Sequence, residues 1–171
     1  TKVRVKAANQ KAGVKTVYLK KGGKVTLSAT VTGTGNFDKS VDWSVSKKSV
    51  ATVTRGVVKA KGVGTAKITV TSKADKSKKA AVTVKVSKKA VKNRKLTLKA
   101  KKKTLKVGKT FTVAIKSMTK KTTDAVTYKS SKGSVASVDK FGVVKAKKQG
   151  KATITVKCGK KSAKLAITVK K

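Results

Sequence analysis

The residues able to do covalent or acid–base chemistry are few. The 171-residue sequence has no His and no Glu, and its carboxylates are five Asp: Asp38, Asp42, Asp75, Asp124 and Asp139. General acid–base catalysis needs titratable groups brought to the reacting atoms, and glycoside hydrolysis needs a pair of carboxyl groups. Asp38 and Asp42 fall near the start of one predicted strand and Asp124 at the equivalent point later in the chain. All five read as turn or strand-entry residues. Calcium calls for several converging oxygens. Zinc calls for a Cys/His set, and Cys158 is the single cysteine. The sequence therefore predicts no catalytic residue, no metal and no cofactor. Cys158 can make no internal disulfide and reads as a small buried hydrophobe.

What remains is positive charge. Lys and Arg number 47 against the five Asp, a net +42, and only Arg4, Arg55 and Arg94 are Arg. Through residue 87 there are 20 basic and 3 acidic residues; after it there are 27 and 2. Lys is a hydrated point charge, suited to diffuse attraction rather than bidentate recognition. Such a field favours polyanionic neighbours: nucleic acid, acidic glycans, teichoic-acid-like polymers or a negative membrane surface. The densest clusters are Lys99 with Lys101, Lys102 and Lys103, then Lys120–Lys121, Lys147–Lys148 and Lys160–Lys161, with Lys88–Lys89 beside them. These are the candidate polyanion-binding residues. Read without a ligand, they are outward strand positions whose charge blocks edge-to-edge aggregation. No zinc finger, helix-turn-helix or aromatic ladder accompanies them, so nucleic acid would be held only non-specifically, through phosphates.

The elements that position these side chains are strands. Gly56–Val70 returns as Gly142–Val156 with eleven of fifteen positions identical. Around each copy, Val, Ile and Leu alternate with Lys, Thr and Ser, the period of a strand with one buried face. Turn residues recur every few positions, and no stretch carries helical spacing. The predicted strands hold Val3 and Val5; Val14, Val17 and Leu19, after a break at Asn9–Gly13; Val25 to Val31; Val41, Trp43 and Val45; Val58 and Ala60; Ala66, Ile68 and Val70; Val82 to Val86. The second copy repeats the order: Leu96 and Leu98; Leu105 and Val107; one longer strand with Phe111, Val113 and Ile115; Val126 and Tyr128; Ala152, Ile154, Val156 and Cys158; Leu165 to Val169. Seven or eight short strands per copy predict an all-β, immunoglobulin-like β-sandwich in two tandem domains, 1–87 and 88–171. Ser87–Asn93 reads as the linker. Trp43, Tyr128, Ile68 and Ile154 are the predicted core anchors. Phe37 and Phe141, in loop-like contexts, are the candidates for contact with a partner or a neighbouring domain.

Four motifs carry a family resemblance. Leu19 to Gly23 returns, one residue shorter, as Leu105 to Gly108. Val41-Asp42-Trp43-Ser44 returns as Val126-Thr127-Tyr128-Lys129. Ser49 to Val53 returns as Ser134 to Val138, and the glycine-flanked block at 56–70 returns at 142–156. Each half resembles the bacterial immunoglobulin-like domain of group 2, found in intimin- and invasin-type adhesins and in surface proteins of Gram-positive anaerobes. Tyr128 departs from the usual Trp. The resemblance implies a spacer or display stalk in an extracellular or cell-wall-associated protein, next to further domains of a larger chain, and no enzyme activity. The charge adds two alternatives: an electrostatic module for anionic polymers, or a subunit of a self-assembling surface fibre or layer. No signal peptide or transmembrane run is visible, and the chain begins at Thr1, as a fragment or processed product would.

Overall fold

The computed structural model describes residues 2–8 and 15–171. The break expected at Asn9–Gly13, and Val14, lie outside the described residues. Two compact units divide between Ala90 and Val91. Every described element is a strand; there is no helix among the described residues.

The first unit contains β1 (Lys2–Ala7), β2 (Thr16–Lys20), β3 (Lys24–Thr32), β4 (Val41–Val45), β5 (Ala51–Thr54), β6 (Val57–Ala60), β7 (Gly64–Ser72) and β8 (Lys79–Ser87). They form two four-stranded sheets, β1-β3-β6-β5 and β2-β8-β7-β4. The alternation seen in the sequence decides which side chains meet between them. On β7, Ala66, Ile68 and Val70 are buried while Lys67 is exposed. Val17, Val25, Leu27, Val58 and Val84 come in from the other strands to complete the core.

The second unit contains β9 (Leu96–Leu98), β10 (Lys102–Lys106), β11 (Thr110–Thr112), β12 (Ile115–Met118), β13 (Val126–Ser130), β14 (Ala136–Val138), β15 (Val143–Ala146), β16 (Gly150–Cys158) and β17 (Lys161–Lys170). One face is the sheet β10-β17-β16-β13. The other is in two pieces, β11-β15-β14 and β12-β9. Its core repeats the first, with Ile154, Val156, Leu165 and Ile167 at the positions of Ile68, Val70, Val82 and Val84.

Two expectations need correction. The single longer strand carrying Phe111, Val113 and Ile115 is broken into β11 and β12. Val113 N–H still donates to Gly142 O at 2.9 Å, as Leu27 N–H donates to Gly56 O at 2.7 Å in the first unit. Beyond that point the pairing with β9 slips between Ile115 and Ser117, an irregularity that β3 does not have against β1. The second correction concerns Asn93. It is not linker but a buried part of the second unit, 4% exposed.

The hairpins before each glycine-flanked block also differ. Arg55 and Gly56 both have positive φ, 46° and 78°, so the first is a two-residue type I′ turn. The extra residue of the second copy makes a longer loop. Asp139 caps it, its Oδ1 accepting from Phe141 N–H (2.8 Å) and Val143 N–H (2.9 Å), and Gly142 supplies the positive φ of 77°.

Candidate functional site

A concavity within the second unit begins at Asn93. This short amide is buried because three segments need it. Its Oδ1 accepts from Thr119 N–H (2.9 Å), its Nδ2 donates to Cys158 O (3.3 Å), and its backbone N–H donates to Asp124 Oδ2 (2.7 Å). The neighbouring chain is tied to the β12–β13 loop as well: Val91 N–H donates to Thr123 Oγ1, and Thr122 Oγ1 donates to Val91 O. Cys158 is wholly buried and its Sγ donates to the Asp124 carbonyl at 3.5 Å. Burial, with the Asp124 charge second, pushes its thiol up to about 11. A thiol so placed is a packing group, not a nucleophile. Gly159 has φ 57°, and a Cβ there would collide with Asp124 Oδ2.

Around this network lies a groove of about 710 Å³ lined by Lys92, Asn93, Arg94, Asp124, Gly159, Lys160 and Lys161. Four cations thus flank one carboxylate already engaged by a backbone N–H. The arrangement can hold an anion only through its rim.

The predicted lysines do not form one site. Lys160 and Lys161 reach the groove. Lys120 and Lys121 sit in the β12–β13 loop, Lys147 and Lys148 in the β15–β16 loop, and Lys99 and Lys101 between β9 and β10; all are exposed. Lys102 and Lys103 lie on β10 with opposite orientation. Lys103 is in phase with buried Leu105 and pairs with buried Ile167, where the first unit has Val17 against Val84. Its ammonium lies 5.3 Å from the Phe111 ring centroid. The run Lys101–Lys103 is therefore not one patch.

Sequence reasoning missed Lys92, in what read as linker, and Arg94 just beyond it. It also did not single out Lys129, Lys157 and Lys164, because a search for runs passes over lysines that stand apart along a strand.

Three of the four aromatic candidates, Trp43, Tyr128 and Phe37, pack against the cores. Trp43 and Tyr128 are half-buried, pair with Val70 and Val156, and lie against the cores. Burial, then the Asp139 charge, raises the Tyr128 phenol to about 12. Ile68 and Ile154 are fully buried. Phe37 is half-buried against Val3, Val31 and Val70. Phe141 is half-buried with the Lys140 ammonium 5.6 Å from its ring centroid.

Each carboxylate has structural work. Asp38 accepts from the side chain and backbone of Ser40, both at 2.7 Å, and these bonds, the hydroxyl's first, lower its pKa. Asp75 does the same with Ser77, again the hydroxyl first. Asp42 lies 4.0 Å from Lys73 in an exposed pair. Among the described residues no three His, Cys, Asp or Glu side chains are placed to hold a metal ion.

Comparison with known proteins decides the family. The model for the bacterial Ig-like domain (group 2) matches residues 2–84 and again 90–169. The chain belongs to this family. Both of its domains are therefore group 2 Ig-like domains. Over 70 residues the chain is 46% identical to a 3-O-α-D-galactosyl-α-L-arabinofuranosidase of Bifidobacterium longum subsp. longum, which takes in 40% of this chain but only 6% of that relative. Among solved structures, domains 5–6 of the S-layer protein SbsC are similar at 18% identity and TM-score 0.43, covering 100% of this chain and 98% of that one. Domains 4 and 5 of the same protein are similar at 20% identity and TM-score 0.39, covering 99% of each chain. A mutant of intimin from EHEC O157:H7 is similar at 22% identity and TM-score 0.39, covering 54% of this chain and 52% of that one. No helix among the described residues is long and apolar enough to cross a membrane.

Proposed function

We propose that the two Ig-like domains are a spacer segment of a bacterial cell-surface protein, holding neighbouring domains of a longer chain away from the surface that anchors it. The observation that carries this reading is the repetition of one sandwich. Nearly every inward position is a Val, Ile, Leu or Ala engaged in packing, and each of the five carboxylates is engaged in a turn, a loop network or an exposed ion pair. A chain so composed supplies folded domains and little chemistry. The 6% share of the glycosidase that this chain matches accords with a module that recurs as a short part of long proteins.

The test is where the segment lies on cells expressing its full-length gene. An antibody to the two domains labels intact cells under this reading. Labelling only after permeabilisation sinks it.

A further inference from the structure

The sheet β10-β17-β16-β13 places lysines on its outward face in an order that the pairing register fixes. Lys102 of β10 pairs with Ala166 of β17. Lys164, two residues before Ala166, pairs with Thr155 of β16. Lys157, two residues beyond Thr155, pairs with Thr127 of β13, and Lys129, two beyond Thr127, pairs with Thr155. Each lysine is thus diagonal to the next on the adjoining strand, a separation of about 7–8 Å. The result is a track, a diagonal row of four lysines, one from each strand, on a face that also carries Lys106, Lys151 and Lys170. All four are exposed. Thr127, Thr155 and Ser162 stand between them, on the same face. Beside the track, small Ala166 floors a depression of about 220 Å³ whose walls include Ser131, Lys151, Thr153 and Thr168.

Solvation alone does not account for the track. The matching sheet of the first unit carries Thr16, Ala81, Thr71 and Ser44 at the four corresponding register positions. The same sheet therefore forms with none of these charges. The first unit's outward lysines, Lys20, Lys67, Lys79 and Lys85, sit elsewhere, and Asp42 shares their face. Four like charges at diagonal spacing repel one another in the free protein. A bound chain of negative charge would relieve that repulsion.

We propose that this track is a docking surface for a linear polyol-phosphate polymer. Lys ammonium groups match isolated phosphodiester charges as point partners, and the interleaved hydroxyls suit the polymer's own hydroxyls. The track and the residues between it hold no aromatic side chain, since Tyr128 faces the core, so a nucleobase would find nothing there to stack on. The assignment rests on strand register and not on the surface-display reading.

The test uses the whole chain and fluorescently labelled poly(glycerol phosphate) at about 50 mM salt, where screening is weak. Replacing Lys102, Lys129, Lys157 and Lys164 together by Gln raises Kd at least about tenfold. It also flattens the dependence of log K on log salt by roughly 0.7 per lost phosphate contact. Replacing the loop residues Lys120, Lys121, Lys147 and Lys148 by Gln removes the same charge and changes Kd by less than about threefold. Equal weakening by the two sets, or no weakening by the first, overturns the proposal. In the reverse direction, T16K/S44K/T71K/A81K writes the track onto the first unit and tightens binding; failure to do so also counts against it. Tighter binding of an oligothymidylate of equal charge would overturn the assignment to a polymer without bases.

Discussion

The Tyr128 ring lies against Gly142 so closely that a Cβ on that glycine would sit 2.8 Å from the ring Cζ. Trp43 stands in the same relation to Gly56, with Cζ2 at 3.2 Å. In both units the large aromatic closes over the hairpin glycine, and that glycine also has a positive φ. A methyl group is excluded on both counts. Gly142→Ala is predicted to destabilise the second unit by about 2–3 kcal/mol. Gly56→Ala is predicted to cost more, because its methyl also meets the Leu27 backbone oxygen at 2.5 Å. Urea titration measures both. Wild-type midpoints in either variant would show that the aromatic moves aside freely.

Arg55 occupies a left-handed position, φ 46°, that suits Asn or Gly. Arg55→Asn creates the Asn-Gly pair preferred in type I′ turns and is predicted to raise stability by about 0.5–1 kcal/mol. The corresponding loop in the second unit gains nothing from such a change, because there the positive φ falls on Gly142. Thermal melts of the single variant decide the point.

The sandwich was legible in the sequence because side-chain alternation sets the inward face and the repeated block sets its position twice. Trp43, Tyr128, Ile68 and Ile154 followed from phase alone. Two other things were not legible. The break of β11 from β12 arises from a pairing slip against β9, and neither strand's own composition announces it. The lysine track depends on register between four strands, which no single strand's sequence announces.

Asn93 ties the start of the second unit to Thr119, Asp124 and Cys158. Asn93→Ala leaves Thr119 N–H and Cys158 O without their side-chain partners, and is predicted to cost about 2–3 kcal/mol. Hydrogen exchange then shows lost protection at the Thr119 amide. Unchanged exchange there would mean that another group takes over.

The Tyr128 phenol titrates at about 12 in the folded chain, against an ordinary 10.0. A raised folded value means that the protonated phenol favours folding. Its contribution is full below about pH 10 and is lost as pH climbs towards 12. Tyr128→Phe removes this part of the alkaline decline, whatever it does to stability at neutral pH. Equal slopes for the two proteins between pH 10 and 12 would contradict the assignment.

The parallel pairing of β10 with β17, five rungs from Lys102 against Ala166 to Lys106 against Lys170, has a mechanical meaning. β10 lies near the unit's start and β17 near its end, and they run in the same direction. Tension between the two ends therefore drags these strands past one another lengthwise, so the rungs resist together instead of parting one at a time. β2 and β8 stand in the same relation in the first unit. Both pairs lie across the line of any such pull in shear geometry.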